Sequence, residues 1–146
     1  FDEGGIRFYT NYQSQKGAQL RENPQAALVF HWPALLRQIR VAGRVEVVSA
    51  EESDAYFRSR PLGHRLGACV SPQSQVIAGR HFLEERLNAL SQQLGPGDDV
   101  PRPANWGGFR VIPHTYEFWQ ARENRLHDRL RYRREADAWI IERLAP

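Results

Sequence analysis

The densest concentration of groups able to do chemistry is the stretch WQARENRLHDRLRYRR, Trp119 to Arg134. It carries six arginines: Arg122, Arg125, Arg129, Arg131, Arg133 and Arg134. Read as a strand, it sets Arg125, His127 and Arg129 on one face, with Leu126 and Leu130 opposite. Cationic groups side by side repel unless an anion lies against them. The stretch is therefore either a solvated edge neutralised by Glu123 and Asp128, or an anion-binding floor on which a histidine can pass a proton near neutral pH.

Two further groupings could bind an anion, and a third is simply polar. Tyr56 and Arg60, four apart near a helix end, could form an ordinary aromatic–cation pair or a phosphate clamp of a phenol and a bidentate guanidinium. YTNYQSQKG, Tyr9 to Gly17, offers Thr10, Ser14, a helix start and Lys16, which together can hold a phosphate or simply cap a surface helix. It lacks the glycine spacing of a Walker loop. SPQSQ, Ser71 to Gln75, is rich in amides and hydroxyls, as loops that satisfy their own backbone usually are. The five histidines show no metal-ligand spacing, so no metal is expected. No nucleophile elbow is present.

These side chains need elements to position them. Gly4-Gly5 suits a tight turn before a strand in which Ile6, Phe8 and Thr10 alternate with Arg7 and Tyr9. Only Phe1 to Glu3 precede that turn, so the fold is expected to extend upstream. Ser14 should cap a helix through Arg21, which Pro24 stops from continuing. Ala26 to Trp32 reads as a buried strand. Arg37 to Val48 reads as a long one, with Ile39, Val41, Val45 and Val47 on one face and Gln38, Arg40, Arg44 and Glu46 on the other. Gly43 within it marks a bulge or a close backbone approach. Ser49-Ala50-Glu51-Glu52 is a capping box opening a helix to about Ser59, with Pro61 as its stop. Leu83, Leu87, Leu90 and Leu94 stripe a helix from about Arg80, closed by Gly95-Pro96-Gly97. A proline-rich loop, Asp98 to Asn105, leads into strands over Gly107 to Ile112 and Thr115 to Gln120. A last pair, Arg129 to Arg133 and Trp139 to Leu144, flanks a Glu-Ala-Asp turn. The sum is a single mainly antiparallel β domain over 1–146, with three flanking helices and no βαβ alternation.

Composition narrows the classes. The chain has 146 residues, 41% hydrophobic and 11% aromatic, with a formal charge of +3, enough for one packed domain. No apolar run approaches a membrane span. Cys69 is the single cysteine, which leaves no internal disulfide and fits a reducing, cytoplasmic setting. The charge is mild and no nucleic-acid module is evident, which argues against a nucleic-acid partner. The 20 basic residues are 19 arginines and Lys16, and there is no methionine. Codon preference explains such a bias, as does a need for Arg as a fixed fork toward phosphates and carboxylates.

In their order along the chain, FYTNYQSQKG, RQIRVAGRVE, YFRSRP, VSPQSQ, WGGFRV, EFWQARENRLHDRLRYRR and the terminal ERLAP resemble the pyridoxine/pyridoxamine 5′-phosphate oxidase family. The resemblance covers the whole chain, and RLHDR with the preceding FWQ is its most specific part. It implies an FMN-binding split β-barrel whose N-terminal part, about a third of the protein, is missing here, and a homodimer with FMN at the subunit interface. It implies oxidation of pyridoxine 5′-phosphate or pyridoxamine 5′-phosphate to pyridoxal 5′-phosphate, with O2 as acceptor and H2O2 as product. Carried over, Tyr9, Thr10, Lys16, Gln38, Gln73, Ser74, Trp119 and Arg129 match FMN contacts, with Lys16 toward the cofactor phosphate. Tyr56 and Arg60 match substrate-phosphate positions, and Arg125 and His127 match the catalytic pair beside the pyridine ring. Three positions depart from the pattern: Gln15 replaces a frequent basic residue, His64 a frequent phosphate-contacting serine, and Cys69 a frequent tryptophan. The competing readings are a phenazine-precursor oxidase of the same fold and a non-catalytic flavin or pyridoxal-phosphate carrier.

Overall fold

The computed structural model describes residues 2, 4–95 and 99–146; Phe1, Glu3 and the Pro96-Gly97 part of the expected helix stop lie outside them, as does Asp98. In chain order the elements are β1 (Ile6–Asn11), α1 (Gln15–Glu22), β2 (Gln25–Trp32), β3 (Arg37–Val47), α2 (Ala50–Ser59), α3 (Leu62–Val70), α4 (Arg80–Gln93), β4 (Trp106–Gln120), β5 (Asp128–Glu135) and β6 (Ala138–Arg143). Short 3-10 turns lie at Pro33–Leu35 and Glu123–Arg125. The sheet runs β2-β3-β4-β5-β6, and β1 also pairs with β4. The pairings of β2 with β3, β4 with β5 and β5 with β6 are antiparallel.

The chain divides into two compact units. One comprises 1–6, 24–46 and 110–146, and the other 7–23 and 47–109.

In the first unit, Gly5 takes φ +129°, and a side chain there would strike the Val111 carbonyl. It is the turn glycine the sequence called for. Gly43 is a close approach and not a bulge: pairing with β2 continues through Gly43↔Ala26 without a skipped residue. A Cβ there would strike the Ile112 carbonyl. The expectation of a buried β2 fails. Val29, Phe30 and Trp32 are exposed, because β2 is the last strand of its sheet. The two strands expected at Gly107–Ile112 and Thr115–Gln120 are one 15-residue strand, β4. Pro113 does not break it, since pairing with β5 starts only at Thr115↔Arg133 and no bond of that ladder needs the missing N–H. The last hairpin turns through Ala136-Asp137, with Ala136 left-handed at φ 49°.

In the second unit, Ser14 caps α1 by accepting from the Gly17 amide at 3.2 Å. Ser49 caps α2 by accepting from the Glu52 amide at 3.1 Å. Among the described residues there are four α-helices where three were expected. α3 was hidden because Pro61 reads as a stop, yet it occupies the N-cap and opens the next helix, while Gly63 and Gly67 depress its propensity. Val47, expected inside, is 62% exposed, and Val48 is buried in its place. The chain changes face there, as the Val48 amide donates to the Gly108 carbonyl at 3.0 Å. The core is Phe57, Leu66, Val100 and Trp106, with Leu87, Leu90 and Leu94 of the α4 stripe packed on it. No helix among the described residues is long and apolar enough to cross a membrane.

Candidate functional site

The expected residues fall into two groups, one in each unit. In the second unit, Tyr9 on β1 stacks on Tyr56 of α2, ring centroids 3.7 Å apart and 15° from parallel. Both lie against Trp106, with centroids at 5.8 and 6.3 Å. Arg60, the extended C-cap of α2, lays its guanidinium 4.7 Å from the centre of the same indole. So Tyr56 and Arg60 do converge, though not as two residues of one helix face. Trp106 joins them. Sequence reasoning passed over Trp106 as a site residue, although the Gly107-Gly108 pair after it was a signal. A Cβ on Gly108 would lie 2.7 Å from the Tyr9 ring, so the glycine is what lets that ring sit there.

Arg60 Nη1 is buried and has no hydrogen-bond partner among the described residues. A buried, unmet guanidinium donor costs stability on the order of 1–3 kcal/mol, and an arriving oxyanion removes that cost. His64 is exposed in the first turn of α3, and its side chain makes no polar contact among the described residues. Cys69 packs on the core beneath this group. Burial pushes its thiol up, against the pull of the Arg60 charge, so it is a packing residue and not a nucleophile.

A second polar set lies at the start of α1. Buried Thr10 donates from its hydroxyl to Gln73 Oε1 at 3.2 Å, and the Asn11 amide donates to the same oxygen at 3.1 Å. These bonds tie the SPQSQ loop to β1, and Ser74 takes the left-handed φ of 70° in that loop. Lys16 is exposed, with its ammonium 5.4 Å from the centre of the Phe8 ring, and it makes no ion pair among the described residues. An ammonium without an ion pair in the first turn of α1 fits the phosphate end of FMN.

In the first unit, a cleft of about 570 Å³ is lined by Gln38, Trp119, Trp32, Ile39, Phe118 and Leu130, among others. Its aromatic and aliphatic walls, with the side-chain amides of Gln38 and Gln120 and the charged Arg37, Arg122, Asp128 and Arg143, fit a planar heteroaromatic ring that carries polar edges. Arg129 faces Trp119 in register across β4 and β5. Two of its donors are engaged within the chain, Nε to Glu117 at 2.8 Å and Nη1 to the Ala145 carbonyl at 2.9 Å. Glu117, with only 12% of its side chain exposed, also sits 3.6 Å from Arg40. The hydrogen bond from Arg129 holds its carboxyl below the usual range against the opposing effect of burial, with the charges of Arg129, Arg40 and Arg131 adding to the pull.

One expectation about the arginine stretch is corrected here. Arg125, His127 and Arg129 do not share a strand face, because β5 starts only at Asp128 and Arg125 lies in the preceding 3-10 turn. Asn124 and Arg125 are left-handed in succession, at φ 54° and 61°. That is costly for an arginine and lifts it out of the ladder. His127 leans on Trp119, centroids 4.8 Å apart. Its Nδ1 accepts from the Arg122 backbone amide at 3.2 Å. The choice between a neutralised edge and an anion-binding floor resolves residue by residue. Arg122, Arg129, Arg131, Arg133 and Arg134 all meet carboxylates. Arg125 makes no ion pair among the described residues and is exposed. Among those residues no group of three or more His, Cys, Asp or Glu could hold a metal.

Comparison with known proteins bears on the chain as a whole. The family model described as pyridoxamine 5′-phosphate oxidase matches residues 1–93. The model of the pyridoxine 5′-phosphate oxidase C-terminal dimerisation region matches residues 106–146. Pyridoxine/pyridoxamine 5′-phosphate oxidase of Gloeothece citriformis is 62% identical over 147 residues, covering 100% of this chain and 68% of the relative. That of Salinibacter ruber is 54% identical, covering 99% of this chain and 68% of the relative. Among solved structures, PhzG from Burkholderia lata, in complex with tetrahydrophenazine-1-carboxylic acid, superposes with a TM-score of 0.93 at 32% identity, covering all of this chain and 71% of that one. An FMN-binding, pyridoxamine 5′-phosphate oxidase-related protein from Nostoc punctiforme shares the fold with a TM-score of 0.76 at 21% identity, covering all of this chain and 76% of that one. With the motifs in order and both family models matched, this chain belongs to the family of FMN-dependent pyridoxine/pyridoxamine 5′-phosphate oxidases.

Proposed function

We propose that the chain oxidises pyridoxine 5′-phosphate or pyridoxamine 5′-phosphate to pyridoxal 5′-phosphate, with O2 as acceptor and H2O2 as product. It does so in the cytoplasm as one domain of a homodimer that holds FMN at the subunit interface. The observation that carries the substrate class is the buried, unmet Nη1 of Arg60 on the Tyr9–Tyr56–Trp106 stack. The name of the matched dimerisation region supports the homodimer.

FMN, when bound, supplies the hydride-accepting chemistry, and the protein supplies position and charge. Lys16 holds the cofactor phosphate, with Thr10, Gln73 and Ser74 shaping the loop beside it and Tyr9 closing the wall. Gln38, Trp119 and Arg129 face the cofactor ring. Arg60 and the Tyr56 hydroxyl hold the substrate phosphate, and His64 adds an imidazole contact. Arg125, free of carboxylates, holds and polarises the substrate ring, and His127 orients it. Together these contacts must keep the reacting carbon within about 3–3.5 Å of its acceptor.

A second reading, oxidation of a phenazine precursor, draws on the likeness to PhzG. Arg60 and Tyr56 favour a phosphorylated ligand over it. The test is an anaerobic titration of the yellow protein. Pyridoxine 5′-phosphate should bleach the flavin band, and air should restore it with release of H2O2. Bleaching by a phenazine precursor alone would establish the second reading, and no bleaching by either would leave a carrier.

A further inference from the structure

We infer that His127 works as a hydrogen-bond donor through Nε2, in a tautomer fixed by the backbone amide of Arg122. Resting on the placement of His127 beside the substrate proposed above, the inference says which of its two nitrogens serves the ligand and in which direction. A neutral imidazole carries one N–H, and the nitrogen without it is the acceptor. The Arg122 amide, 3.2 Å from Nδ1, can only donate, so Nδ1 is the acceptor and the proton resides on Nε2. Local geometry enforces the contact. The Glu123–Arg125 turn returns the chain so that residue 127 comes back under residue 122, and the Leu126 amide closes that turn on the Glu123 carbonyl at 3.1 Å. The Trp119 ring, 4.8 Å away between centroids, supports the imidazole in that orientation. Moving the proton to Nδ1 would set an N–H against an N–H and forfeit the bond.

The consequence is a division of labour in the pair. Arg125 is a donor by nature, and with Nδ1 occupied His127 is one as well, so the two present donors to lone pairs on the bound ring. His127 is thus not the base that first takes a proton from the substrate. In this tautomer Nε2 already carries the proton and has no lone pair to take another, and the Nδ1 lone pair is engaged by the Arg122 amide.

The direct test is a two-bond proton–nitrogen correlation spectrum of the FMN-loaded protein labelled with ¹⁵N-histidine, recorded near pH 8, with His127 assigned by its loss in His127→Gln. A proton on Nε2 is the expected result, and a proton on Nδ1 overturns the inference whatever the activity. The second arm compares His127→Gln, whose amide reaches about as far as Nε2, with His127→Asn, whose amide reaches only as far as Nδ1. The Gln variant should keep kcat/KM within about tenfold, while the Asn variant should lose roughly a hundredfold. An Asn variant as active as the Gln variant, with both impaired, overturns the donor role. Both variants matching the wild type would instead refute the placement of His127 at the substrate, and the tautomer would be decided by the spectrum alone.

Discussion

Two populations of arginine divide this molecule. On the β4–β5–β6 side, Arg129, Arg131 and Arg133 are each matched by Glu117, Glu142 or Glu135 at 2.8 to 3.1 Å. Arg125, in the turn before β5, and Arg60, over the Trp106 indole, have no carboxylate against them among the described residues. The dense cluster that draws the eye in the sequence is mostly self-neutralised. The isolated arginines are the ones left able to bind an anion. The capacity to hold a phosphate or a polar ring is therefore set by the missing counter-charge, not by the number of cations. The same contrast argues against a nucleic-acid surface, which would need the cluster's charge to be uncompensated.

The contrast can be broken or sharpened by substitution. The largest expected effect is at Arg125. Arg125→Ala should lower kcat/KM by about 10²–10³-fold while the protein stays yellow, checked by steady-state kinetics beside the flavin spectrum. Retained turnover would place Arg125 with the structural arginines. Lys16→Ala should come next, weakening FMN retention by roughly tenfold in an equilibrium binding assay, as loss of one charge-assisted contact does. Among the paired set, Arg131→Ala should leave kcat/KM within about twofold, since exposed ion pairs contribute little.

The paired set carries a pH signature of its own. The bond from Arg129 lowers the Glu117 carboxyl below its ordinary value in the folded protein, so the ionised form is the stabilised one. Its contribution is complete at neutral pH and down to the ordinary carboxylate range. It is lost only as pH falls below that range, through the lowered value. Glu117→Gln should therefore flatten the acid limb of a Tm-against-pH profile. An unchanged acid limb would mean that Arg129 is held by the Ala145 carbonyl alone.

Much of this was legible in the sequence because it is local. The Ser14 and Ser49 caps and the Gly5 turn each depend on a few neighbouring residues, and they appear where expected. What was not legible depends on partners far along the chain. β2 reads as buried because its residues are apolar, but its place at the sheet's end exposes them. β4 reads as two strands, Gly107 to Ile112 and Thr115 to Gln120, because the sequence does not say where the β5 ladder begins. Glu117 lies opposite Arg131 in register yet serves Arg129 diagonally, a pairing that only the register reveals. At the site, the Tyr56–Arg60 pair was visible as a spacing, but the Trp106 ring that gathers it lies 46 residues further on from Arg60.

The central claim, that an unmet guanidinium selects a phosphorylated substrate, is tested most directly by one ratio. It is kcat/KM for pyridoxine 5′-phosphate divided by kcat/KM for unphosphorylated pyridoxine, in the wild type and in Arg60→Ala. Loss of a charge-assisted, bidentate contact predicts that the ratio falls by roughly 10- to 100-fold in the variant, with FMN binding unaffected. A ratio unchanged by the substitution would contradict the account and return Arg60 to the role of an aromatic–cation packing residue.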